Sequence, residues 1–246
     1  MSELERIEQL EKEIRELKGL NDEGIATYSF SKIKIEDLHH LVKLQLKFDR
    51  TIFDTWFIND VEVDKDTEIF LTNLLEQNKF LLKSYNEEDL KIKFIAKILN
   101  YIDFQSYENN FREFYELMIS YKTDKFIFTG TTDFVVSKGL LYSEKPYFFI
   151  QEFKKGKVNT DPEPQLLAEL ISGMELNNDT SMRGAYIVGA IWNFVILEKL
   201  GKDKYQYFVS ENFDSSKIED LKGIYQNLVF VKEEIIERVK RESNNI

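Results

Sequence analysis

The run from Phe126 to Gln165 constrains this chain more than any other stretch. Its segments FIFTGTTDFVV (126–136) and KPYFFIQEFKK (145–155) are dense in β-branched and aromatic residues, which predicts two strands. Between them, residues 137–144 carry a glycine and two serines and can turn the chain. An antiparallel hairpin centred near Tyr142-Ser143 puts Asp133 opposite Glu152. Glu152 and Lys154 stand two apart, so on a strand they share a face. Thr160-Asp161-Pro162 then breaks the strand and starts a helix over about 163–176, with Pro164 in its first turn. Gln165 and Glu169 are four apart and share a face of that helix, either solvated or turned to a cleft.

Charges on an apolar strand pair need a physical reason. Desolvating a carboxylate is costly unless it is paired or bound to a metal. Two carboxylates and a lysine on one face can hold a hard divalent cation and position a water beside it. A solvated strand end with an ordinary Glu–Lys contact satisfies the same spacing.

In order and spacing, Gly130-x-x-Asp133, Glu152-Phe153-Lys154 and Gln165 on the next helix resemble the PD-(D/E)xK nuclease superfamily. The nearer resemblance is to a widespread bacterial group of uncharacterised proteins with restriction-endonuclease-like cores. That group combines an N-E helix start running into K-F-I, a G-x-x-D-F strand, an E-Y/F-K-K strand and a D-P-x-x-Q-L-L helix. Here the counterparts are Asn86-Glu87, Lys93-Phe94-Ile95, Gly130 to Phe134, Glu152-Phe153-Lys154-Lys155 and Asp161 to Leu167, so the match covers about residues 86–210. The resemblance implies an α/β fold, with a central mixed β-sheet flanked by helices. It implies a nuclease that hydrolyses phosphodiester bonds of nucleic acid, DNA ahead of RNA, with Mg²⁺ or Mn²⁺. Asp133 and Glu152 would ligate the metal, with Glu87 as an accessory ligand and Glu88 in reserve. Lys154 would hold the attacking water and stabilise charge on the phosphate. Gln165 would orient the water or a phosphate. Without the resemblance, helix-dipole complementation accounts for Glu87 and Glu88.

Composition narrows the alternatives. The chain has no cysteine, which excludes disulfides, thiolate metal sites and a cysteine nucleophile. Its two histidines, His39 and His40, are adjacent, and on a helix they face different ways, a poor metal pair. No nucleophile-elbow motif accompanies them. A net charge of −11 argues against a generally basic nucleic-acid binder, although the field at a groove is what matters. Lys154, Lys155 and Lys157 make a local basic cluster. The longest apolar stretch, 185–197, is interrupted by Gly189 and Asn193 and is too short to span a membrane. The first residues show no apolar signal region, so the expected location is cytoplasmic, with no membrane partner.

The remaining pattern is helical at both ends. Ile7, Leu10, Ile14 and Leu17 mark a coiled-coil-like helix over 2–20, either a homodimer element or a helix lying on its own domain. A strand is expected within 25–35, and helices over 35–48, 66–82 and 86–102, the last capped by Asn86. Residues 107–122 read as a helix leading into the first core strand, and 184–210 as strands turning near Gly189 and Gly201, with Trp192 in the core. Ser216-x-x-Glu219 reads as a capping box opening a helix striped by Ile224, Leu228, Ile235 and Val239. The expected division is an appended helix (1–20), a small mostly helical region (21–85) and a nuclease-like domain (86–246). Two rival functions share the pattern. One is a catalytically silent nuclease fold that binds or regulates protein partners; the other is a metal-using hydrolase of small phosphate esters.

Overall fold

The computed structural model describes Arg6, residues 24–154 and residues 161–243. The heptads of residues 2–20, apart from Arg6, and the lysines Lys155 and Lys157 lie outside the described residues. The strands are β1 (Ala26–Ser29), β2 (Lys43–Lys47), β3 (Phe111–Lys122), β4 (Phe126–Lys138), β5 (Glu144–Lys154), β6 (Ser181–Val188), β7 (Ile191–Gly201), β8 (Lys204–Val209) and β9 (Phe213–Asp214). The helices are α1 (Ile35–Leu41), α2 (Asp54–Phe57), α3 (Lys65–Asn78), α4, α5 (Pro162–Asn177) and α6 (Ile218–Ser243). Helix α4 is composite: an α-helical turn Glu87–Leu90, a π-helical segment Lys91–Ile95 and an α-helical run Ala96–Ile102. The fold is α/β, one mixed sheet between helices. No described helix is long and apolar enough to cross a membrane.

The centre is the antiparallel meander β3–β4–β5, after which α5 crosses over to β6, parallel to β5. Strand β5 is buried on both faces from Phe148 to Phe153, as a central strand must be. One face packs under α3, α4 and α6, with Trp56 of α2 fully buried there and donating from Nε1 to the Asn227 carbonyl at 2.9 Å. Helix α5 covers the other face, joined by the turn Phe30–Lys32 and by α1. The stretch 21–85 contributes to the same sheet: β1 pairs with β4, and β2 pairs with β8 at the far edge.

Several elements depart from the sequence reading. Residues 107–122, read as a helix, form a turn followed by β3 (Phe111–Lys122). Phe111, Phe114, Tyr115, Met118 and Ile119 have helical spacing, but this spacing comes from a strand that changes face. Phe111 packs with the α6 side, while Ile119, also at an odd position, packs with the α5 side. The change occurs around Glu116, whose φ is +53°. Strand β4 makes the same exchange: Phe126 and Phe128 face α5, Phe134 and Val136 face α6, and Gly130 lies between with φ +152°. Helix α1 stops at Leu41 and the chain becomes β2, so 35–48 is not one helix. At α6, Ser216 donates from both its N–H and its hydroxyl to Asp214 Oδ1, so the capping box gives way to a local turn. The stripe Ile224, Leu228, Ile235 and Val239 is buried, and so is Trp192.

Gly130 is where this geometry is most exposed to substitution. A β-carbon there would stand 3.0 Å from Phe30 Cδ2 and 3.2 Å from Phe30 Cβ, on a backbone that L residues rarely adopt. Gly130→Ala is expected to cost about 1–3 kcal/mol in urea unfolding. An unchanged midpoint would show that the exchange of faces does not need glycine.

Candidate active site

The β4–β5 ladder runs from the hairpin end to Phe134↔Gln151 and goes no further. Past it, the Asp133 carboxylate accepts the Phe153 N–H through Oδ2 at 2.8 Å. The edge of β4 that β5 leaves is taken up by β1, whose Ala26–Ser29 pair with Phe126–Thr129. A cleft opens in the gap, lined by Phe30, Ser31, Lys32, Lys34, Lys154 and Gln165, among others. The sheet thus parts where the sequence places its two acidic candidates.

Glu152 and Lys154 share a face and are bonded, Nζ to Oε1 at 2.6 Å. Glu152 is 1% exposed, its buried Oε2 receives no hydrogen-bond donor, and its protonated carboxyl hydrogen-bonds the Asp133 carboxylate. Burial, then the neighbouring Asp133 charge, push the Glu152 carboxyl up to about 8, against the pull of Lys154. Gln165 and Glu169 do share a helix face, but it is not solvated: Gln165 is buried and Glu169 is fully buried. Gln165 Nε2 donates to Glu169 Oε1 at 3.1 Å, and Glu169 Oε2 has no partner. Burial, then the Glu152 charge, hold the Glu169 carboxyl well above the usual range.

Glu87 meets the site through Lys154, with Oε1 3.8 Å from Nζ. The Glu88 charge is felt at Lys91, whose ammonium it favours. Burial disfavours the Lys154 ammonium, but Glu152, Glu87 and Asp133 outweigh it and raise it above the ordinary lysine value. The five candidates Glu87, Asp133, Glu152, Lys154 and Gln165 therefore form one connected neighbourhood.

Sequence reading missed four residues here. Lys91, on the π-helical segment, pairs with Glu116 and lies 3.5 Å from Asp133 Oδ1. Nothing in KIKFI singles it out; its position depends on the extra residue per turn and on β3 passing beside α4. Lys32 and Lys34 reach the cleft because β1 takes the vacant edge of β4, a long-range pairing. Glu169 did carry a signal: it sits in QLLAELISGM, apolar on all sides, and such a helix is buried.

Among the described residues, no three His, Cys, Asp or Glu side chains are grouped to hold a metal ion by themselves. The donor set is two hard carboxylates, Asp133 and Glu152, with a buried oxygen on the second that receives no donor. That set fits Mg²⁺, which binds through one or two carboxylates and keeps water or phosphate in its other positions. No protein-family model matches the chain, and no curated protein sequence matches it.

The buried carboxyls make stability pH-dependent in a defined direction. Glu152 titrates near 8 in the folded protein against a reference of 4.5, so the folded state holds its proton more tightly. Its contribution is complete below pH 4.5 and is lost as pH rises toward 8, with Glu169 acting in the same direction. Metal-free wild type is expected to lose a few kcal/mol across that window, because each tenfold change in proton affinity is worth about 1.4 kcal/mol. Glu152→Gln should flatten most of the slope in urea melts at pH 5 and pH 8; equal slopes in both proteins would refute this account.

Proposed function

We propose that the protein hydrolyses phosphodiester bonds of nucleic acid with a divalent cation, Mg²⁺ or Mn²⁺, DNA ahead of RNA. The observation that carries the reading is the buried Glu152 carboxylate. It lies across the parted hairpin from Asp133, is bonded to Lys154 through one oxygen and receives no donor at the other. Without metal, burial keeps this carboxyl protonated up to about pH 8, and a cation at the oxygen that receives no donor would replace the proton and offset the cost of ionising the group. The element order gives further support. Glu87 opens a helix, Asp133 lies on one strand, Glu152 and Lys154 on the next, and Gln165 on the helix after it. The resemblance implies this arrangement.

Asp133 and Glu152 would hold the cation, which when bound supplies positive charge to the phosphate and acidifies a water. The chain's own groups do the rest. The Phe153 N–H fixes the Asp133 carboxylate, so it is oriented before substrate arrives. Lys154, 17% exposed, can donate to a phosphate oxygen or to the attacking water while still bonded to Glu152. Gln165 spends its Nε2 on Glu169, and its Oε1 can accept from a water in the cleft. Lys32, Lys34 and Lys154 outnumber Asp161 in the cleft lining and leave it locally positive on a chain of net charge −11. That overall charge favours a second reading, a silent nuclease fold acting through protein partners.

Cleavage of plasmid, single-stranded DNA and RNA with Mg²⁺, Mn²⁺ or chelator separates the two. Wild type is expected to cut only with metal, and Lys154→Ala to cut about 100-fold more slowly or worse. If wild type cuts nothing, the partner-binding reading replaces this one.

A further inference from the structure

A second cavity, of about 370 Å³, lies one strand away from the candidate carboxylates. Its size is within the roughly 300–1,000 Å³ of small-molecule sites. Its floor is formed by neighbours of the site in strict register. Tyr186 of β6 pairs with Glu152 and also with Asn193 of β7, and Val188 pairs with Lys154. Neighbouring strands lie about 4.8 Å apart, which puts Tyr186 about 5 Å and Asn193 about 10 Å from Glu152 across the sheet. Asp161, at the start of α5, borders both this cavity and the lysine-lined cleft. A group held here is therefore one short step from a phosphate held there.

The lining is chemically unlike the cleft. No lysine or arginine is among its described residues, and Asp161 and Glu163 supply carboxylate acceptors. Tyr186 and Tyr207 anchor their hydroxyls on Glu163, at 3.3 and 2.9 Å, which holds the Tyr186 ring in place. Asn193 Nδ2 donates to the Ser210 carbonyl at 3.3 Å and to Asn212 Oδ1 at 2.8 Å. This leaves Asn193 Oδ1 and Asn212 Nδ2 without bonds among the described residues: an acceptor and a donor side by side at the cavity. A planar ring, a donor–acceptor amide pair and further acceptors match the edge and face of a nucleobase. They repel a phosphate.

We propose that this cavity takes one base of the substrate strand beside the phosphate under attack, and selects cytosine or adenine over thymine, uracil or guanine. The inference rests on the nucleic-acid reading of the neighbouring site. Cytosine and adenine set an exocyclic amino donor beside a ring-nitrogen acceptor, the complement of Asn193 Oδ1 and Asn212 Nδ2, whereas thymine, uracil and guanine present a carbonyl beside a ring N–H in those places. A base inside a duplex cannot enter, so the substrate at this position is single-stranded or has its nucleotide extruded.

The test measures binding and cutting by the full-length protein, in chelator and in Mg²⁺. The substrates are single-stranded oligonucleotides of equal length built from dC, from dT and from abasic sugar-phosphate. The dC strand is expected to bind about tenfold tighter than the other two. Asn212→Ala should erase that preference and leave abasic binding unchanged; Asn212 is an exposed residue, so the fold tolerates its loss. A second variant, Tyr186→Phe, keeps the ring and should keep the preference. Equal affinity for all three strands, or an Asn212→Ala loss that extends to the abasic strand, overturns the base pocket; the nuclease reading survives if the strands are still cut. Failure to bind or cut any strand overturns both.

Discussion

The hydrogen bond from the Phe153 N–H to the Asp133 carboxylate stands at the point where the ladder between the two central strands ends. A side chain there satisfies a backbone donor that would otherwise be buried without a partner. With that donor satisfied, β4 and β5 can part without the usual cost, and β1 can take the free edge. The exchange of faces at Glu116 and Gly130 belongs to the same event. It lets β3 and β4 cover α5 at one end and the α6 side at the other. The cleft, its lysines and the placement of Glu152 all follow from this parting.

Electrostatics then set the character of the site. Removing a carboxylate from water costs several kcal/mol per ion even after relaxation, while an exposed ion pair returns about 1 kcal/mol or less. Glu152 and Glu169 are both buried on the face toward α5, and Lys154 bonds only the first. Lys91 serves Asp133 and Glu116 from the other side. Two lysines do not balance the carboxylates gathered here, so burial prevails and the carboxyl groups shift upward. The imbalance is a demand for positive charge, built into the centre of the sheet and not onto its surface.

Helix α5 links the two concave regions. Its first residues border both the lysine cleft and the cavity over β6 and β7, and Glu163 ties Tyr186 and Tyr207 to it. The parallel β5–β6 pairing then carries register from Glu152 to Tyr186, so the two regions cannot move independently without breaking the sheet. The cleft offers cationic donors, and its neighbour offers acceptors and an aromatic face.

The sequence by itself determined the central hairpin, the helix that follows it and the strands after that. Each is dictated by contiguous residues: β-branched and aromatic runs, Asp161-Pro162, and turns near Gly189 and Gly201. It also determined that Asp133, Glu152 and Lys154 would meet, because a hairpin fixes register over a short span. Residues 107–122 were misread because a strand that changes face at Glu116 spaces its apolar residues as a helix does. Lys91, Lys32 and Lys34, and the register of Tyr186 with Glu152, were decided only by tertiary structure. Each depends on a pairing or packing contact between distant parts of the chain, and local pattern does not encode which distant edge a strand will take.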